Sequence, residues 1–275
     1  MQITLHPQLI QLLQTYSVPV TNTTDINSSI RMFDEPEDRT QEPISSYEDI
    51  NRIITFFLAH NRYRDAMLFV LGINFGIRVS DLSTLQFRQL INDNNQIKDF
   101  FFINEEKTGK KNKVWINTAC KKIISIYLNY CNSVGTTKDL QDYVFVSEGN
   151  NKKYKTVLFE QNGILLEKKV QTPLTYNSIP PILKDTCKAL GIKGKHNTHC
   201  LRKTFAWGVL QYYQNKQGED YNGRGLLFLQ KRFKHSSLLT TTHYAGFTEN
   251  EDRAVCMSLN LGMEAIDKWV KTKRI

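Results

Sequence analysis

Two arginines, a lysine, two histidines and a tyrosine, spread over four short stretches, have the side-chain types needed to break and remake a phosphodiester. The stretches are Gly76-Ile-Arg78-Val-Ser-Asp81-Leu, Glu106-Lys107-Thr-Gly-Lys110-Lys111, His199-Cys-Leu-Arg202-Lys-Thr-Phe and His235-Ser-Ser-Leu-Leu-Thr-Thr-Thr-His-Tyr244. Such a reaction, run without a metal, needs cationic donors on the non-bridging oxygens as charge builds at phosphorus. It also needs a nucleophile in line and a proton donor for the departing 5′ oxygen. Guanidinium forks suit the first task because they match phosphate oxygens in pairs and stay charged at any working pH. Arg78 and Arg202 are the candidates, and Asp81 is placed to orient Arg78 if both lie on one helical face.

Taken singly, each stretch has an ordinary reading. Arg78 and Asp81 could be a surface i,i+3 ion pair, and His199 a capping histidine beside a solvated Arg202. The lysines from 107 to 113 could be a solvated hairpin tip, and Tyr244 a half-buried aromatic at a helix end. His196, His199 and Cys200, with His235 and His243 downstream, match no common closed zinc site, so no metal is assigned. A Walker A loop and a Gly-x-Gly-x-x-Gly turn are both missing, so nucleotide-driven chemistry has no support.

The elements that must position these residues follow from periodicity. Ser46-Tyr-Glu-Asp49 predicts a helix N-cap, and Ile50, Ile53, Ile54, Phe57 and Leu58 recur at helical spacing behind it. Ala66–Leu71 predicts a second helix ending near Gly72–Gly76, and a third runs from about Val79 to Leu85. The period then changes: Asp99–Asn104 and Lys113–Asn117 read as a β-hairpin around a lysine-rich connection. Helices are expected again over Ile123–Tyr130, Tyr176–Leu190, Thr198–Tyr213, Gly225–Phe233 and Leu238–Tyr244, and a closing helical segment over Glu249–Val270. Pro180 and Pro181 fall near a helix start, where they are tolerated. Upstream, His6–Tyr16 reads as a short amphipathic helix and about Asn22–Ser45 as a polar, acidic linker. The expected product is a mainly α domain with a small antiparallel sheet (α+β) over residues 46–275, behind a short acidic extension over 1–45.

Bulk properties narrow the class. With 275 residues and 40% hydrophobic content, the chain can bury a core. No apolar run approaches the roughly 18 residues that span a bilayer. Five cysteines without a Cys-x-x-Cys pair suit a reduced, cytoplasmic setting. The formal net charge is +9, yet Met1–Ile50 carries eight acidic and two basic residues, so positions 51–275 hold 34 basic against 19 acidic. That excess suits a polyanion partner, because each lysine or arginine on a phosphate releases counterions. The absence of a long basic amphipathic helix argues against a membrane surface.

Taken as an ordered set, the four stretches resemble the tyrosine recombinases, the phage integrase family. The resemblance covers about Ser46–Phe247. It implies that Arg78 and Arg202 clamp the scissile phosphate and that Tyr244 attacks it, leaving a 3′-phosphotyrosyl link and a free 5′ hydroxyl. It implies Lys107 as general acid, His199 as general base or proton relay, and His235 as a donor to a non-bridging oxygen. The phosphotyrosyl bond conserves the phosphodiester energy, so no cofactor is implied.

The implied partner is double-stranded DNA, touched by Lys110, Lys111, Lys113, Lys203, Lys231, Arg232 and Lys234. About 45 residues precede the catalytic region, too few for the family's helical core-binding domain. The resemblance is therefore to its short members, working as a dimer or tetramer on DNA, with or without a helper DNA-binding protein. Phe233-Lys234 stands where the family often has Leu-Gly. In the family, C-terminal helices like Glu249–Ile275 commonly dock on a neighbouring protomer; packing within the chain is the alternative. A DNA-binding regulator that does not cut, and a relaxing topoisomerase, are the other readings of the same scaffold.

Overall fold

The computed structural model describes residues 42–106, 109, 111–136, 138–148, 152–161, 163–215, 224–233 and 249–273. The expected helices over His6–Tyr16 and Leu238–Tyr244, and most of the acidic linker, lie outside these residues, as do Lys107, Lys110, Lys234, His235 and Tyr244.

Helix α1 (Tyr47–Ala59) begins where the capping signal places it: Ser46 Oγ accepts the Asp49 amide at 3.2 Å. Its five periodic apolar residues are all buried. Helix α2 (Tyr63–Phe75) is buried on every side from Asp65 onward, which makes it the central rod of the core. The packed chain reaches back before α1, since Ile44 is buried and its amide donates to Thr204 Oγ1 at 2.9 Å.

Short helices α3 (Val79–Ser83) and α4 (Phe87–Leu90) lead to a hairpin of β1 (Phe100–Asn104) and β2 (Lys111–Trp115). The strands pair antiparallel, Phe100 opposite Trp115 and Asn104 opposite Lys111. Alternation sends Phe101 and Ile103 inward and leaves Phe100 and Phe102 outside. Helix α5 (Thr118–Ser133) follows, capped by the Asn117 side chain.

A second hairpin, β3 (Tyr154–Gln161) with β4 (Ile164–Gln171), adds to the single sheet expected from the sequence. Its base is anchored by buried Val170, while Leu158, Ile164 and Leu165 stay exposed towards its tip. Helix α6 (Ile179–Ala189) starts on Pro180 and Pro181. Helices α7 (Thr198–Asn215) and α8 (Arg224–Phe233) then return to the core.

The closing segment is two helices, α9 (Glu249–Ser258) and α10 (Met263–Lys273), broken at Leu259–Gly262. Asn260 and Gly262 have positive φ of 33° and 85° there. Helix α10 packs within its own chain: Ile266 is fully buried, Asn51 Nδ2 donates to Glu264 Oε2 at 2.9 Å, and Lys122 pairs with Asp267. The mainly α architecture is as expected. No helix of the described residues is long and apolar enough to cross a membrane.

Candidate active site

The arginine pair is built on a close helix contact. Gly72 and Gly76, four residues apart on α2, face Leu201 and Phe205, four apart on α7. A Cβ on Gly72 would lie 2.7 Å from Leu201 Cδ1, and one on Gly76 would lie 2.5 Å from the Phe205 ring. A side chain at Gly76 would collide with the buried Phe205 ring, and one at Gly72 would require Leu201 to move. Gly76 also ends α2 in the left-handed conformation (φ 62°). Arg78 follows as the extended N-cap of α3, with φ −67° and ψ 151°. The glycine of the first stretch thus seats against the phenylalanine of the third, which brings Arg78 towards Arg202.

Each guanidinium is anchored at one edge. Arg78 Nη1 meets Glu105 Oε2 at 2.5 Å, and Arg202 Nη2 donates to the Phe233 carbonyl at 3.2 Å. The Arg202 guanidinium also lies over the Phe233 ring, 4.0 Å from its centroid. A guanidinium has five N–H donors. Among the described residues, each of these two uses a single nitrogen on protein acceptors, and Arg78 keeps 22% of its side chain exposed. Burial, and then the neighbouring Arg78 charge, lower the Arg202 pKa to about 10, with Glu105 acting in the opposite direction. Arg202 therefore stays cationic at neutral pH.

The carboxylate paired with Arg78 is that of Glu105, not of Asp81. The i,i+3 argument fails because Arg78 precedes the helix instead of lying on it. Asp81 Oδ1 accepts the Glu106 amide at 2.9 Å and so fixes the end of β1. Its Oδ2 is buried without a hydrogen-bond partner among the described residues. Burial raises the Asp81 pKa, against the Glu106 hydrogen bond and the two arginines that lower it.

Other predicted residues divide clearly. His199 is exposed on α7, one turn before Arg202, and Lys203 is half-buried beside it. Lys231 is exposed in the last turn of α8. Lys111 and Lys113 lie on the outer face of the first hairpin, 4.3 Å over Phe102 and 4.0 Å over Phe100. Arg232 is not a DNA contact: it is 5% exposed and donates to Phe75 O at 3.0 Å, to Lys113 O and to Asn112 Oδ1 at 3.2 Å. Helical phase puts it on the α8 face that carries Phe228 and Leu229, so its charge is turned into the fold. His196, weighed as a zinc ligand, is buried with its ring nitrogens 3.4 Å from Glu42 O and 2.9 Å from Lys193 O. No group of three metal-ligating side chains occurs among the described residues.

The model of the phage integrase family matches residues 46–251, a span that contains all four stretches. The chain belongs to the phage integrase family. An integrase-family relative from Bacillus subtilis (strain 168), "Probable integrase/recombinase YoeC", is 30% identical over 213 residues, covering 78% of this chain and 93% of that protein. Among solved structures, the chain is similar to the XerA recombinase, at 18% identity and TM-score 0.46, over 98% of this chain and 90% of that one. It is also similar to the XerH site-specific recombinase bound to difH substrate in a pre-cleavage complex, at 16% identity and TM-score 0.45, over 88% and 67% of the two chains.

Membership places the chain among DNA recombinases. Sequence reasoning missed the burial of Glu105 and its pairing with Arg78 and Asn112. The signal for Glu105 was available: it continues the inward phase of Phe101 and Ile103, and a carboxylate directed into a core demands a cation.

Proposed function

We propose that the chain is a site-specific DNA recombinase that cleaves and rejoins strands through a covalent 3′-phosphotyrosyl intermediate. Tyr244 is the nucleophile, Lys107 protonates the leaving 5′ oxygen, His199 relays a proton, and His235 donates to a non-bridging oxygen. Arg78 and Arg202 clamp the scissile phosphate. The observation that carries this reading is a pair of guanidiniums close enough for one charge to act on the other, each fixed at one edge with donors to spare among the described residues. That is the preorganised cationic surface a developing phosphorane charge requires. Attack by the Tyr244 phenolate forms the tyrosyl–phosphate bond and breaks the bond to the 5′ oxygen, which leaves as a hydroxyl after protonation. A second 5′ hydroxyl reverses the step on another strand.

Residues 46–275 form the catalytic domain and residues 1–45 its acidic extension. The DNA contacts are Lys110, Lys111, Lys113, Lys203, Lys231 and Lys234, and the working unit is a dimer or tetramer on DNA, with a helper DNA-binding protein where one is needed. The test is a duplex selected by the protein from random DNA and nicked beside the scissile phosphate, so that the cut strand diffuses away. A covalent protein–DNA adduct is expected, and it should vanish with Tyr244→Phe. DNA binding without any adduct would instead make the chain a regulator on the same scaffold.

A further inference from the structure

Glu105 is a charged side chain with no place in the chemistry outlined above, yet it is buried to 1% exposure. A carboxylate that deep is tolerated when its oxygens are paired. Oε2 takes Arg78 Nη1 at 2.5 Å, and Oε1 takes Asn112 Nδ2 at 3.0 Å. The other end of the Asn112 amide accepts Arg232 Nη1 at 3.2 Å. Arg232 is joined by its own peptide bond to Phe233, whose carbonyl and ring hold Arg202. A continuous path therefore starts at one arginine of the pair and ends at the other, through the residue that follows β1, through β2 and through the last turn of α8. Asn112 is the junction, because an amide offers a donor to the carboxylate and an acceptor to the guanidinium at once.

We propose that Glu105 and Asn112 are positioning residues that fix the spacing and direction of the Arg78–Arg202 pair before DNA arrives; this rests on the recombinase reading. Two guanidiniums side by side repel one another until a phosphate neutralises them. Glu105 supplies a counter-charge before DNA binds, engaging Arg78 through Nη1. Asn112 stops that carboxylate from swinging out with Arg78 and ties its position to Phe233. The clamp is thereby set in advance instead of being assembled around the substrate.

The experiment uses the full chain and its isosteric variant Glu105→Gln, with Asn112→Ala as a second variant in which the Arg78–Glu105 pair is retained. Adduct formation is timed on the nicked duplex described above, with either a normal phosphate or a methylphosphonate at the scissile position. The methylphosphonate lacks one charged oxygen and so depends less on the arginine pair. On phosphate, Glu105→Gln is expected to slow adduct formation roughly ten- to hundredfold, the weight of one charge-assisted hydrogen bond. DNA affinity should stay within about threefold, since many other phosphate contacts remain. On methylphosphonate the defect should shrink to within about threefold, because the lost function concerns charge at that oxygen. Asn112→Ala should follow the same pattern.

A purely structural role would lower the folded fraction and slow both substrates alike. Equal loss on the two substrates, or no loss, overturns the proposal. If thermal melting shows Glu105→Gln unfolded, the substrate dependence of Asn112→Ala decides it by the same criterion. An adduct from the wild type that neither variant alters overturns this inference alone. No adduct from the wild type overturns the recombinase reading and takes this inference with it.

Discussion

Gly76→Ala is the most searching test of how the arginine pair is built. Two separate penalties act at this position. An L-residue in the left-handed region at φ 62° costs roughly 1–2 kcal/mol. The new methyl would also lie 2.5–2.7 Å from three carbons of the Phe205 ring, which is fully buried and has nowhere to turn. Overpacking of that kind costs roughly 1–3 kcal/mol. Together they predict a loss of about 2–5 kcal/mol, or on the order of 10 °C in Tm for a domain of this size. Gly191→Ala is the matched control: its φ is 66°, but nothing lies within 4 Å of the added methyl. It should lose only the backbone part, about 1–2 kcal/mol.

Urea denaturation of the two variants, followed by tryptophan fluorescence, separates the steric part from the backbone part. The double change Gly76→Ala with Phe205→Leu should cost less than the two single changes added, by about 1 kcal/mol or more. If Gly76→Ala costs no more than Gly191→Ala, the Gly76–Phe205 contact is not what holds the end of α2 against α7.

Further expectations concern the site and its surroundings. Arg202→Ala should slow adduct formation by roughly two to three decades while DNA affinity falls far less; a collapse in affinity with a normal rate per bound complex would refute the clamp role. Arg232→Met should destabilise the fold by roughly 3 kcal/mol, because the Phe75 and Lys113 carbonyls and the Asn112 amide lose their donor; wild-type stability with weakened DNA binding would return Arg232 to the DNA-contact class. For Asp81, burial raises the folded-state pKa above the ordinary 3.8, so the native state binds the proton more readily than the unfolded one. The ionised side chain is then a burden as pH rises through that raised value, and its cost is absent below 3.8. Asp81→Asn should accordingly stabilise the protein at pH 7, with the gain fading towards pH 4; a gain that grows on acidification would refute this. All five cysteines are buried, and burial pushes the Cys187 thiol up to about 11, so thiol reagents at pH 8 should label them only as the protein unfolds.

Much of the scaffold could be read from the chain because local and tertiary demands agree there. Ser46 caps α1 and the Ile50–Leu58 stripe is its buried face, while the alternation after Asp99 yields the first hairpin, its second strand lying two residues earlier than the spacing predicts. Where reading failed, the cause is specific. The second hairpin carries Ile164, Leu165 and Leu166 in a row, so no single face declares itself, and its strands pair mainly with each other. Asp81 was given a helical relation to Arg78 that the extended Arg78 backbone forbids. Arg232 sits in a Lys-Arg-Phe-Lys run that looks like a solvated basic patch; only the phase of α8 reveals that its side chain points inward. Glu105 and Asn112 are adjacent in space because strands β1 and β2 pair, and a seven-residue separation does not announce that contact.

The break between α9 and α10 has a consequence for the order of events in synthesis. Leu261 bonds through both its amide and its carbonyl to the side chain of Asn74, 187 positions earlier and four before Arg78. Gly262 lies against Ile54 so closely that any side chain there would clash. Until these late residues leave the ribosome, the polar end of buried Asn74 lacks two of its partners and the α1 face stays uncovered. Helix α2, which leads into Arg78, is therefore completed only after α9 has been made, through contacts of long sequence separation.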